Sequence, residues 1–352
     1  PSFRGIIHNA LSVDCVYIDK DTLPKISNFD VSVFFGNENK KMIYLAPEIL
    51  KENDYDQSVD VYSFSIILYF ICTGQIPNIK LNEKLNGVLP EIPKNVPKNY
   101  ANLIRRCMSF DPKQRPSFIQ IISLLKSSEF MTDKIDQKEF NRFIKTYDFQ
   151  FEKIQIEFPE VDKLDVDFDP IDLSLYEKSV FIGRGGYGNV YKVIEKSTRK
   201  IVAGKINHIA LKECTPIHVY SLSREINILS KLINQSILKF IGYNEYNFKG
   251  ENRPTILTEY SQNNSLGNII ELQIRGLTPH EWTPTKELIC AYGIAAGMAY
   301  IHSLDIIHRD LKPGNVFLDE YLHPKIGDFG LSKEISDESI LEDGEHLGTP
   351  AF

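Results

Sequence analysis

Ile307-His308-Arg309-Asp310-Leu311-Lys312-Pro313-Gly314-Asn315, followed thirteen residues after Asn315 by Asp328-Phe329-Gly330, is the stretch on which the reading of this chain turns. The chain carries an echo of it 300 positions earlier, where Ile6, Ile7, His8, Leu11, Val16, Asp19, Pro24, Lys25, Ile26, Phe29 and Ser32 match their later counterparts at constant register. Two copies of one structural unit are present. The early copy keeps the apolar and turn positions that pack. It has Ala10, Ser12, Cys15 and Asn28 where the late copy has Asp310, Lys312, Asn315 and Asp328. Packing residues survive in both copies, and the charged ones in only one.

The 352 residues are enough for two or three domains, and 42% apolar with 25% charged residues is the balance of a soluble globular chain. A net charge of -7 argues against a general nucleic-acid binder or a membrane-surface binder. The five cysteines form no Cys-x-x-Cys pair, which points away from a zinc site or a disulfide framework and toward a reducing, cytoplasmic setting. The longest apolar stretch, Phe64 to Cys72, is far short of the roughly 20 residues a spanning helix needs, and reads as a buried core helix.

Gly183-Arg184-Gly185-Gly186-Tyr187-Gly188 sits on a predicted hairpin, where missing side chains let backbone N–H groups approach phosphates. On the next strand comes Val202-Ala203-Gly204-Lys205. Twenty residues after Lys205, Glu225 stands on a predicted helix containing Leu222, Ile226, Leu229 and Ile233, whose spacing turns Glu225 inward. Between these segments and the early copy lies Ile156 to Asp172, with seven carboxylates against Lys163 and no clean period, which reads as a solvated acidic linker.

Together these residues resemble the protein kinase superfamily, in its serine/threonine type of the tyrosine-kinase-like branch. The resemblance implies an α+β bilobal fold: an antiparallel sheet with one helix in a small lobe, and a mostly helical large lobe. Residues 176–352 are expected to form the small lobe and the upper part of the large lobe, ending before an Ala-Pro-Glu motif. Residues 1–130 resemble a partial, degenerate large lobe, through Ala46-Pro47-Glu48, Asp60-Val61-Tyr62-Ser63-Phe64 and Asp111 to Pro116. In that family the glutamate pairs with a distant arginine, here Glu48 with Arg115, and the aspartate, here Asp60, anchors the catalytic loop. Residues 131–175 are the expected linker between the two.

The family likeness also assigns roles. Asp310 is the base that takes or orients the substrate hydroxyl proton, Lys312 stabilises charge on the γ-phosphate, and Lys205, paired with Glu225, holds the α and β phosphates. Asn315 and Asp328 supply hard oxygen ligands suited to Mg2+. ATP is then held by Ile182, Gly183, Arg184, Gly185, Gly186, Tyr187, Gly188, Val190 and Ala203, by the gatekeeper Thr258, by the backbone at Glu259 and Ser261, and from below by Phe317. Lys312-Pro313 and Gly348-Thr349-Pro350 imply protein substrates bearing serine or threonine. Arg309 implies pairing with a phosphate on Ser336, Ser339 or Thr349.

The first copy, with neither base nor full chelate, resembles a pseudokinase, expected to regulate or dock. Two other readings stay open. One is a non-catalytic ATP-binding or scaffold fragment. The other follows from segment order, since residues 46 to about 130 contain what residues 177–352 lack: the early lobe completes the later one, by intramolecular or dimeric contact.

Overall fold

The computed structural model describes residues 6–7, 16–18, 24–26, 33–34, 43–51, 55–147, 169–184 and 188–334. In chain order it opens with four short strands, β1 (Ile6–Ile7), β2 (Val16–Ile18), β3 (Pro24–Ile26) and β4 (Val33–Phe34). Six helices follow: α1 (Pro47–Leu50), α2 (Ser58–Thr73), α3 (Leu81–Leu85), α4 (Lys98–Cys107), α5 (Phe118–Leu125) and α6 (Gln137–Ile144). Next come β5 (Tyr176–Arg184), β6 (Gly188–Glu195), β7 (Ile201–Asn207), α7 (Pro216–Lys231), β8 (Phe240–Asn244) and β9 (Thr255–Glu259). The last group is α8 (Leu266–Ile274), α9 (Pro284–Ser303), β10 (Ile306–Ile307), β11 (Val316–Leu318), β12 (Pro324–Ile326) and β13 (Lys333–Glu334).

The five strands β5 to β9 form one antiparallel sheet in the order β5-β6-β7-β9-β8, with α7 laid across it. Leu222 and Ile226 of α7 pack on Tyr243 and Ile256, the inward face that the spacing predicts. Pro216 stands at the start of α7, where its missing N–H costs nothing. The helix ends at Lys231, so Ile233, expected on its apolar face, is 84% exposed.

The 300-residue repeat appears as repeated pairing. β2 pairs β3 through Val16–Ile26, Tyr17–Lys25 and Ile18–Pro24; β11 pairs β12 through Val316–Ile326, Phe317–Lys325 and Leu318–Pro324. β1 with β4 repeats as β10 with β13 in the same way, Ile6–Phe34 and Ile7–Val33 against Ile306–Glu334 and Ile307–Lys333. The substituted positions Ala10, Ser12, Cys15 and Asn28 lie outside the described residues.

The helices of the early segment and those of the late segment share one core. Every residue of α2 from Val59 to Ile71 is buried, as is almost all of α9, and a helix apolar on all sides must be surrounded by other elements. Both contribute to a single apolar cluster that runs from Ile43 to Phe329. α5, started by the Ser117–Gln120 capping box, sets Phe118 edge-on to His302 at 5.0 Å between ring centres. Apolar faces of the early helices and of the late helices are thus buried against each other in one cluster.

The expected linker also begins later than residue 131. Asp136 caps α6 through Lys138 and Glu139 N–H groups, and Phe140 and Phe143 bury edge-on against Tyr292 of α9 at 5.5 and 6.3 Å. Asp136 N–H donates to Thr285 Oγ1 at 2.8 Å, and Lys286 pairs with Glu139. Of the expected acidic linker, residues 148–168 lie outside the described residues, while Ile171 packs onto the sheet and takes Tyr243 O as its hydrogen-bond acceptor. Among the described residues no helix is long and apolar enough to cross a membrane.

Candidate active site

The upper half of the site follows from strand register. Lys205 pairs Val190, and Ala203 pairs Thr258; alternate residues of a strand share a face, so these four stand on one face of the sheet. Val193, Val202 and Leu257 fill the other. Lys205 Nζ lies 2.8 Å from both carboxylate oxygens of Glu225. Burial raises the Glu225 carboxyl above the usual range, Lys205 pulls the other way, and the neighbouring Asp328 carboxylate adds to the rise.

Ile182, Gly183 and Arg184 end β5, and Gly188 begins β6; Gly185, Gly186 and Tyr187 lie outside the described residues. Gly188 has a steric reason to be glycine, because a Cβ there would sit 2.5 Å from the Ile206 carbonyl oxygen. At the far end of the face, Glu259 N–H donates to Lys239 O at 2.8 Å, and Thr258 Oγ1 donates to Glu259 O. The Ser261 hydroxyl is buried and has no hydrogen-bond partner among the described residues. Phe317 is half-buried, and its ring would lie 3.1 Å from a Cβ on Gly327, so the residue before Asp328 must be small.

The lower half is a knot of polar contacts around Asp310. Asp310 Oδ2 accepts from Lys312 Nζ at 2.6 Å and from Asn315 Nδ2 at 2.8 Å, and Asn315 Nδ2 also reaches Asp310 O at 2.9 Å. Both side-chain bonds fall on one oxygen, and Oδ1 takes no hydrogen bond among the described residues. Gly327 N–H donates to Asn315 O at 2.9 Å, joining this loop to Asp328. His308 ties the two loops as well: its Nδ1 accepts from Asp310 N–H at 3.3 Å while Nε2 donates to Gly327 O at 3.3 Å, the neutral tautomer with the proton on Nε2. Phe329 lies fully buried against the His308 ring.

What holds this loop comes from the early segment. Asp60, fully buried at the start of α2, accepts from the N–H of His308 at 2.8 Å, from the N–H of Arg309 at 3.0 Å and from His302 Nε2 at 3.0 Å. Arg309 is in the left-handed region at φ 63, a conformation that costs a non-glycine residue about 1–3 kcal/mol. The carboxylate offsets that cost, since a hydrogen bond to a charged group contributes about 1.5–3 kcal/mol. The Arg309 side chain donates to Leu331 O and to Tyr55 OH. Ser336, Ser339 and Thr349, the expected phosphate carriers and loop hydroxyl, lie outside the described residues.

The Glu48–Arg115 pair stands as expected, bidentate at 2.5 and 2.9 Å and buried, with Arg115 also donating to Ser109 O and Ser58 O. Three contributors were not legible in the sequence. His302 shares Asp60; Ser221 Oγ of α7 donates to Gly330 O at 2.8 Å, coupling the helix of Glu225 to the loop of Asp328; and Lys84 is buried beside Glu48–Arg115. Burial lowers Lys84 to about 7, with its ammonium on Ile43 O at 2.8 Å and over the Tyr62 ring. Each looks, in one dimension, like an ordinary polar residue of a helix.

Comparison with known proteins bears on the same residues. Residues 176–352 match the protein kinase domain family, and residues 2–125 match the protein tyrosine and serine/threonine kinase family. The chain belongs to the protein kinase superfamily. It is 27% identical over 370 residues to dual specificity protein kinase pyk3 of Dictyostelium discoideum, covering 96% of this chain and 25% of that protein. It is 33% identical to serine/threonine-protein kinase pakG of the same organism, over 49% of this chain and 13% of pakG. With human receptor-interacting serine/threonine-protein kinase 3 the identity is 30%, over 52% of this chain and 33% of that protein. The chain thus spans a third or less of the length of these three relatives.

Protein kinases use ATP and a divalent metal ion, and the site fits that demand in its donor set. Among the described residues there is no cluster of three or more His, Cys, Asp or Glu side chains able to hold an ion alone. Asn315 and Asp328, set on adjoining loops, offer two hard oxygen donors, which suits an ion that takes the rest of its shell from phosphates and water.

Proposed function

We propose that this chain carries a serine/threonine phosphoryl-transfer centre assembled from two segments, with residues 176–334 supplying the ATP and catalytic groups and residues 43–147 supplying the helical scaffold. The observation that carries it is the Asp310 carboxylate, fixed through Oδ2 by Lys312 and Asn315, on a loop whose backbone Asp60 holds.

In this reading Val190 and Ala203 cover the adenine, Phe317 lies beneath it, and the carbonyl of Glu259 and the backbone of Ser261 meet its edge. Lys205, oriented by Glu225, takes the α and β phosphates, and the strand ends at Gly183 and Gly188 bring backbone N–H groups toward them. Asp310 Oδ1 accepts the proton of a serine or threonine hydroxyl, a contribution of about 10²–10⁴ in rate for a positioned base. Lys312, already beside that carboxylate, places positive charge where the transferred group acquires negative charge. Asn315 and Asp328 hold Mg2+, which neutralises phosphate charge when bound.

The relatives named as serine/threonine kinases support the substrate class, and the run Lys312-Pro313 agrees with it. The 370-residue alignment with one kinase supports both segments belonging to one protein in this order. As for the early copy, its loss of Asp, Lys, Asn and Asp at the equivalent positions supports a non-catalytic role for residues 6–34. The test is transfer of the γ-phosphate of ATP to a mixed serine/threonine peptide pool by the full chain with Mg2+. Activity lost in Asp310→Ala, with magnesium-dependent ATP binding kept, is the expected result; ATP binding without transfer in the unaltered chain would make it a nucleotide-binding scaffold instead.

A further inference from the structure

Ser221 stands on α7 one helical turn before Glu225, so the two side chains share a face of the helix. A serine inside a helix ordinarily turns its hydroxyl back to a carbonyl three or four residues earlier in the same helix. Ser65, Ser123, Ser230 and Ser303 all do so. Ser221 does not. Its hydroxyl leaves the helix and donates to Gly330 O at 2.8 Å, 109 residues away in the chain.

The segment that receives this bond needs outside ties. Asp328 holds φ 65, a left-handed conformation that a non-glycine residue keeps only where its surroundings fix it. Two successive carbonyls just beyond it are taken by different elements: Gly330 O accepts from Ser221 of α7, and Leu331 O accepts from Arg309 of the catalytic loop. Side chains converge on Gly330, where an added Cβ would lie 3.3 Å from Ser221 Oγ, 3.8 Å from Asp328 Oδ1 and 4.0 Å from Glu225 Oε2. Ionised carboxylates only accept, and so does a carbonyl, so neither acid can tie the helix to this peptide. The hydroxyl is the donor of the three.

We infer that Ser221 is a positioning residue of the phosphoryl-transfer centre: its bond to Gly330 O sets α7 at the rotation and depth from which Glu225 reaches Lys205. This role rests on the phosphoryl-transfer reading. Both Glu225 oxygens lie 2.8 Å from Lys205 Nζ, a geometry that one placement of the helix satisfies. The Ser221 hydroxyl is engaged with Gly330 O and therefore acts through Glu225. Its removal leaves α7 free to turn, draws Glu225 off Lys205, and loosens the loop that carries Asp328.

The experiment compares the full chain with Ser221→Ala and Ser221→Thr, each alone and combined with Glu225→Gln, in label transfer from ATP to a peptide. Ser221→Ala should lower kcat about tenfold with the peptide KM unchanged, the effect of one lost hydrogen bond. Ser221→Thr keeps the hydroxyl and should stay within about twofold of the unaltered chain. In the Glu225→Gln background the loss from Ser221→Ala should shrink to under about twofold, because residues that act through one another are not additive. A second readout needs no transfer: amide exchange at Glu225, Ile226, Gly330 and Leu331 should rise about fivefold or more in Ser221→Ala and not in Ser221→Thr. A full tenfold loss in the Glu225→Gln background, equal losses in the alanine and threonine variants, or unchanged exchange would overturn the inference. Absence of transfer in the unaltered chain, with exchange rising as stated, would overturn the phosphoryl-transfer reading and leave the tie between Ser221 and Gly330 supported.

Discussion

The strand pairs at 16–18 with 24–26 and at 316–318 with 324–326 keep one register across 300 residues of chain, yet only the later pair is flanked by an aspartate, a lysine and an asparagine bound to one another. Register needs apolar side chains at alternating positions and a turn, and both copies retain these. Phosphoryl transfer needs charge at defined atoms, and that is independent of the hairpin. The comparison also shows what the hairpins compete for. Of the catalytic loop Asp60 binds only backbone N–H groups, so nothing in those two bonds distinguishes His308 and Arg309 from the matching His8 and Asn9; in this structure it holds the late loop, with the His302 ring as its side-chain partner.

The largest effect should come from the side chains that separate the copies. Asp310→Ala should lower phosphate transfer by about 10²–10⁴, and Ala10→Asp in that background should restore none of it, as measured by label transfer from ATP. Lys205→Ala should reduce kcat by about 10²–10³ without unfolding the sheet, since one preorganised charge near the phosphates is lost. Full activity in either variant would place the base or the phosphate lysine elsewhere.

A smaller effect tests the shared scaffold. Asp60→Ala leaves the N–H groups of His308 and Arg309 without their acceptor and should cost about 3 kcal/mol of stability in urea unfolding, with transfer lost alongside. Lys84 gives a pH signature. Its folded pKa is lowered to about 7 against an unfolded value near 10.5, so the unfolded chain binds more protons between those limits and this group makes stability rise with pH across that window. Lys84→Met should flatten the slope of stability against pH between about 7 and 10, and leave it unchanged below 6. The smallest effect belongs to the exposed Arg275–Glu271 pair on α8, where Glu271→Gln should change stability by under about 0.5 kcal/mol.

Much of this was legible from the chain alone. Helix spacing turned Glu225 inward toward the strand of Lys205, whereas Glu48 with Arg115 and the roles of Asp310, Lys312 and Asn315 came from the family resemblance, since no local period joins residues 67 positions apart. Ile233 shows the limit of periodicity: it fits the apolar stripe of α7, but the helix stops two residues earlier. α6 was hidden because Gln137–Ile144 carries few apolar residues, and its stability comes from Phe140 and Phe143 finding Tyr292 in a segment almost 150 residues away. Lys84 is buried, yet nothing local to it in the sequence announces burial. The choice of loop that Asp60 holds was not legible at all, as the two candidates share the residues that pack.

That choice is the centre of the account, and amide hydrogen exchange in the full chain tests it most directly by comparing the unaltered protein with Asp60→Asn. The account predicts strong protection of the His308 and Arg309 amides that collapses in the variant, with the His8 and Asn9 amides unaffected. Loss of protection at His8 and Asn9, with His308 and Arg309 unchanged, would contradict it and return Asp60 to the early copy.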